Sequence, residues 1–331
     1  MGLFSLLVAM ALPFTTPAYE VTVERDVPYA TAMGYWTEAP VGDKKALGKL
    51  LLSTLNPQPV TLEMDIYKPV GDDTAARPLL LMMHGGSFLF GNKQEPGQTG
   101  WCQYFASLGY VAVSIDYRLG FHVRKKEFRE AELRALEDAD AALEYLLGRE
   151  DLRIDPNLVF AAGTSAGAIT ALNLAFRLYG DTPMAEVTPR LSKRSDAGVW
   201  GSAPKLSNGH AADSSITGFT IRAVANLWGS VHDLSVLENA RAPILSFQST
   251  ADPVMPYDRG YPVGWAGKLI SDPRYGTHAV HEKALELGIR AEHHPCPEPR
   301  HRLHLDDALK YTPRFYEIRD AMAVFFAVEM E

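Results

Sequence analysis

The stretch "VFAAGTSAGAIT", residues 159–170, begins as an apolar strand and ends as an apolar helix. Its joint, Gly163-Thr164-Ser165-Ala166-Gly167, sets a polar serine between two glycines. A strand turning directly into a helix presses the residues two before and two after the serine against the backbone of the turn, and glycine fits there. The serine oxygen is then held out of a strained turn. The helix from about Ala166 aims its amide N–H groups and positive dipole end at any negative charge developing beside it. The same letters elsewhere would be a plain Ser/Gly turn; the strand before and the helix after point to a nucleophile.

The surrounding chain repeats the strand–helix rhythm. "PLLLMMH" (78–84) and "GYVAVSIDYRLG" (109–120) are continuous apolar runs, as in strands covered on both faces. Residues 60–67 alternate apolar and polar, which predicts a half-buried strand at an antiparallel edge. Helices are predicted around Trp101 and Tyr104, over 125–148, after Ser165 to about 179, over 277–287 and at the C-terminus around Phe315–Phe326. Further strands are predicted at 219–229, 242–249 and in "GIRAEHH". This alternation predicts an α/β fold with a mainly parallel sheet and helices on both faces. Residues 181–215, rich in Pro, Ser, Lys and Arg, break the rhythm and read as an inserted cap.

A second turn resembles the first in placement. His84-Gly85-Gly86-Ser87-Phe88 directly follows an apolar strand. Acyl transfer builds negative charge on a carbonyl oxygen, and backbone N–H donors about 3 Å away must hold it. A Gly-Gly loop lets the main chain come that close. The expected donors are the amides of Gly86, Ser87 and Ala166.

With "HGGSF", "DYRLG" (116–120), "GTSAG" (163–167) and "STADPVMPY" (249–257), the chain resembles an α/β-hydrolase-fold enzyme of the carboxylesterase/lipase kind over roughly residues 55–328. It looks closer to small secreted bacterial esterases, some of which act on feruloyl or acetyl groups of plant polysaccharides, than to the large cholinesterase-like carboxylesterases. The resemblance implies the order serine, acid, histidine, with His84 shaping the oxyanion loop. The acid is then Asp252, in the loop after a strand, with Asp233 as the alternative. The base is His301, after "PCPEPR", with His304 as the alternative and the pair His293–His294 behind it. The implied activity is serine carboxylic-ester hydrolysis through Ser165, His301 and Asp252, without cofactor or metal. The substrate would be a small-molecule or polysaccharide-linked ester. An amidase or arylformamidase with the same triad, and an inactive binding protein that kept the fold, are the other readings. Phe88, Phe90, Trp101, Tyr117, Phe121 and Trp228 are candidates for an aromatic acyl pocket or for the core.

The 331 residues carry a formal net charge of −8, which argues against a nucleic-acid surface. The uncharged apolar run within residues 1–18 is too short to span a bilayer but fits a signal peptide lacking a basic start, so a secreted or periplasmic domain over 19–331 is expected. In that setting Cys102 and Cys296 would be free to pair.

Overall fold

A computed structural model describes residues 12–40, 48, 56–122, 125–177, 205–206, 219–239 and 241–331. Residues 1–11 of the expected leader and, apart from 205–206, the whole of the expected cap lie outside the described residues.

Strands β1 (Val21–Gly34), β2 (Gln58–Pro69), β3 (Arg77–Met83), β4 (Val111–Ile115), β5 (Ile154–Thr164), β6 (Lys205–Leu206), β7 (Ile221–Leu227), β8 (Ile244–Ser249) and β11 (Ala291–Cys296) form one sheet in the order β11-β8-β7-β5-β3-β4-β2-β1-β6. The six strands from β11 to β4 run parallel. The remaining three are added antiparallel beyond β4. A separate two-residue pair joins β9 (Arg259–Gly260) to β10 (Arg274–Tyr275). Among the described residues, the longer helices are α1 (Pro96–Ser107), α2 (Lys125–Leu147), α3 (Ala166–Arg177), α4 (Thr277–Glu286) and α5 (Pro313–Val328).

The apolar runs are explained by this layering. Every residue of β3 is buried, and its side chains alternate between two cores. Leu79, Leu81 and Met83 pack with Leu136, Ala139 and Leu143 of α2 and Ile169 and Leu172 of α3. Leu80 and Met82 pack on the opposite face with Trp101 and Phe105 of α1 and Ile318, Met322 and Phe326 of α5. Each such Leu, Ile or Met contributes about 1.5–3 kcal/mol.

Two expectations need correction. The strand at 60–67 is antiparallel as expected but is not an edge, because β1 covers it in a register from Val21↔Pro69 to Gly34↔Gln58. Pro28 and register shifts between Glu24/Val27 and Pro28/Ala30 break the period-two pattern that would have announced β1. The two cysteines do not pair: Cys102 and Cys296 are both free and buried, in the same core cluster. Cys296 instead directs its thiol at the His294 carbonyl, 3.5 Å away. Burial raises both thiols well above their ordinary value, Cys296 to about 11.

Candidate active site

Four loops at the carboxyl ends of parallel strands meet above the sheet: those after β3, β5, β8 and β11. In a parallel sheet this is where side chains from different strands converge.

The serine turn follows β5 directly. Ser165 has φ 53°, the left-handed region that costs a non-glycine residue roughly 1–2 kcal/mol. Its amide donates to the Leu227 carbonyl (2.9 Å), and its own carbonyl accepts from Ile169 (3.0 Å), so β7 and α3 hold the strained residue between them. The flanking glycines are there for space: a Cβ on Gly163 would strike the Gly167 backbone, and one on Gly167 would strike the Met83 carbonyl.

The histidine loop after β11 brings His301 to the serine, with Nε2 2.8 Å from Ser165 Oγ. On its other side, Nδ1 lies 2.8 and 3.0 Å from the two oxygens of Asp252. This arrangement fits one tautomer, in which Nδ1–H donates to the carboxylate and Nε2 accepts from the serine hydroxyl. The Asp252 side chain is sealed from solvent and its orientation is over-determined. Oδ1 also accepts from the amides of Val254 (2.8 Å) and Met255 (3.0 Å). Gln248 Nε2 donates to Oδ2 (3.3 Å) and to the carbonyls of Met255 and Pro256, while its Oε1 accepts from Thr277 at the start of α4. Gln248 therefore fastens the acid loop to the fold, a role the sequence reading did not anticipate.

The alternatives sit elsewhere. Asp233 is exposed and accepts from Ser235 N in its own turn. His293 and His294 lie within β11. His304 is buried, stacked between Trp101 (5.0 Å) and Trp228 (5.2 Å). Burial holds it neutral, with its pKa lowered to about 3.

The loop after β3 carries the other expected donors. Gly86 has φ 114°, and a Cβ there would strike the Phe90 carbonyl, so only glycine fits. Ser87 and Phe88 follow with φ 58° and 57°, curling the loop so that Leu89 and Phe90 both donate to the Gly86 carbonyl. No hydrogen bond among the described residues takes up the amides of Gly86, Ser87 or Ala166. His84 braces this loop from beneath: its Nδ1 meets the Gly85 carbonyl (2.7 Å) and its ring stacks on Tyr117 at 4.3 Å. The Tyr117 hydroxyl donates to the His84 carbonyl (2.7 Å). Burial lowers the His84 pKa to about 4. Tyr117 is placed in turn by its neighbour Arg118, fully buried and paired with Asp138 of α2.

These loops enclose a cleft of about 430 Å³ bordered by Ser165, Gly86, Phe90, Trp228, His301 and Glu95. Of the six aromatic candidates only Phe90 and Trp228 reach it; Phe88, Trp101, Tyr117 and Phe121 are buried in the core.

The BD-FAE family model, an α/β-hydrolase esterase family, matches residues 64–196. Among curated proteins the chain is similar to the non-reducing polyketide synthase prhL of Penicillium brasilianum, 37% identical over 116 residues that make up 34% of this chain and 5% of that protein. It is also similar to gut esterase 1 of Caenorhabditis elegans, 30% identical over 122 residues, 36% of this chain and 21% of that one. The matched stretch is thus a small part of either relative's length. Among solved structures, Thermogutta terrifontis esterase 2 phosphorylated by paraoxon aligns with TM-score 0.55 and 20% identity, over 82% of this chain and 90% of that one. An inhibited esterase B from Lactobacillus rhamnosis aligns with TM-score 0.53 and 14% identity, over 95% of this chain and 89% of that one. At these identities the likeness is one of architecture.

Proposed function

We propose that this chain, which has the α/β-hydrolase fold and matches an esterase family model, is a serine carboxylic-ester hydrolase. The observation that carries the reading is the unbroken relay Ser165–His301–Asp252, 2.8 Å at each link, opening onto a cleft with uncommitted backbone amides. A serine hydroxyl is a weak nucleophile until a base takes its proton, and the relay supplies an oriented base.

In the first step Ser165 Oγ attacks the ester carbonyl carbon as His301 Nε2 takes the hydroxyl proton. The carbonyl oxygen becomes an oxyanion, held by the amides of Gly86, Ser87 and Ala166. Asp252 steadies the imidazolium through Nδ1–H. The tetrahedral adduct collapses: the C–O bond to the alcohol breaks, and His301 returns its proton to the departing oxygen. That leaves an acyl-serine. In the second step His301 deprotonates a water, hydroxide adds to the acyl carbon, and the acid departs as Ser165 regains its proton. A donor removed from such an oxyanion site costs roughly 10²–10³ in rate.

The acyl class we assign is small or aromatic, including feruloyl or acetyl groups on plant polysaccharides. Phe90 and Trp228 at the cleft support it. Export belongs to the same reading, carried by the uncharged apolar start of the chain; protein recovered outside the cytoplasm should begin near Tyr19. The test of the activity is a rate panel of acetyl, butyryl, octanoyl and feruloyl esters with a matched amide. Turnover of the acetyl or feruloyl ester well above the amide is expected. An amide hydrolysed faster than every ester would shift the assignment to an amidase.

A further inference from the structure

Two polar groups bordering the cleft have no part in the relay. The first is His304, three residues beyond the base. It is 3% exposed, stacked between Trp101 and Trp228, and borders the cleft. Gly97 of α1 lies against its ring, and a Cβ there would run into Nε2. Its Nδ1 is buried with no hydrogen-bond partner. An orphaned buried N–H is rarer and costlier than an unfilled lone pair. The proton therefore belongs on Nε2, the nitrogen on the side of Gly97 and α1.

The second group is Glu95, two residues before Gly97. It stands at the N-cap of α1, yet its carboxyl makes no capping hydrogen bond. It borders the same cleft, and no hydrogen bond from a described residue reaches its carboxyl. Burial raises its pKa to about 7 despite the opposing charge of Arg302 on the cleft rim. A carboxyl half-withdrawn from water without a donor is unfavourable unless something arrives to supply one.

We infer that His304 and Glu95 form a hydroxyl-binding subsite beside Ser165, which selects esters bearing a free hydroxyl near the reacting carbonyl over plain alkyl esters. A hydroxyl is the group that meets both partners at once: its oxygen accepts from His304 Nε2–H and its proton goes to the Glu95 carboxylate. The tryptophans on either side of His304 fix the ring's plane, and Trp228 meets the His301 ring edge-on at 6.4 Å, so the subsite adjoins the reacting bond. A site built to hydrogen-bond a substrate hydroxyl discriminates strongly against the analogue lacking it, because its own polar groups are then left unpaired.

This inference rests on the ester-hydrolase reading of the same cleft. The experiment uses two shape-matched pairs: 2-hydroxyethyl butyrate against propyl butyrate, with the hydroxyl on the alcohol side, and ethyl 3-hydroxybutyrate against ethyl 3-methylbutyrate, with it on the acyl side. The ratio of kcat/KM within each pair, divided by the same ratio for hydroxide-catalysed hydrolysis, removes intrinsic reactivity. The wild-type protein should prefer the hydroxylated member of one pair by about tenfold or more. Glu95→Leu and His304→Phe should bring that ratio toward one. Glu95→Leu, at a half-exposed position, keeps the test valid should the buried His304→Phe fail to fold. A wild-type ratio near one in both pairs, or a Glu95→Leu ratio equal to wild type, overturns the subsite and leaves the esterase reading intact. A wild type that hydrolyses none of the four esters while cleaving a feruloyl ester overturns the subsite alone; one that cleaves no ester overturns both.

Discussion

The turn that carries Ser165 and the loop that carries His301 meet at 2.8 Å, but they are held in different ways. The serine turn is fixed locally. β5 enters it, α3 leaves it, two glycines clear its backbone, and the strained residue has its amide and carbonyl both bonded. The loop after β11 has little regular structure, and its two histidines go opposite ways. His301 reaches Asp252 and Ser165, whereas His304 is shut between tryptophans and kept neutral. On the proposed reading, short-range geometry builds the nucleophile, while the base depends on contacts from distant parts of the chain. That makes the histidine loop the place where the account is easiest to break.

The largest contrast should come from the two histidines. His301→Ala should lower kcat/KM on a butyrate ester by roughly 10⁴-fold or more, because triad members act as a unit. His304→Phe, which keeps the ring stack, should fall far less. The reverse order would mean that the base had been assigned to the wrong histidine. Next in size is the acid: Asp252→Asn should cost roughly 10³–10⁴-fold in kcat by disfavouring the working tautomer. Asp233→Asn, in an exposed turn, should change kcat by less than about twofold. Equal losses in the two variants would dissociate Asp252 from the relay.

A smaller effect separates placing the acid from being the acid. Gln248→Leu removes the bonds that the Gln248 side chain makes to Asp252, Met255, Pro256 and Thr277, and should lower kcat by roughly 10–100-fold with KM little changed, since small misplacements carry costs of that order. Loss confined to thermal stability, with kcat intact in the folded fraction, would make Gln248 a packing residue only.

The last effect concerns acid stability rather than rate. His84 and His304 are buried with pKa values lowered to about 4 and 3, from an ordinary value near 6.5. Below about pH 6.5 the unfolded chain takes up protons that the folded chain refuses. The stabilisation is therefore complete above that pH and declines as the pH falls through 5 toward 4, by about 1.4 kcal/mol per unit for each group. Urea midpoints measured from pH 7.5 to 4.5 should fall, and His304→Phe should flatten the slope. An unchanged slope in that variant would show that His304 is not held neutral.

The same contrast explains what the sequence made legible. Ser165, Gly86, Ser87 and Ala166 belong to turns whose geometry follows from strand, glycine and helix in a row, and those turns stand where that reading put them. The choice of Asp252 and His301 over Asp233 and His304 rests on the family resemblance, because charge and loop position alone do not separate the candidates. Strand β1 was missed because Pro28 and two register shifts erased its alternation, and without it β2 looked like an edge. The parts played by Gln248, Glu95 and Trp228 come from residues brought together across the fold, for which the local sequence carries no signal.

The proposed chemistry requires Ser165 to be a nucleophile activated by His301. A fluorophosphonate that needs such a serine, followed by intact mass and peptide mapping, tests it without knowledge of the natural substrate. One stoichiometric adduct is expected on Ser165, absent in Ser165→Ala and formed much more slowly in His301→Ala. Labelling that persists in a folded Ser165→Ala protein, or a wild type that remains unlabelled at high reagent concentration, would contradict it.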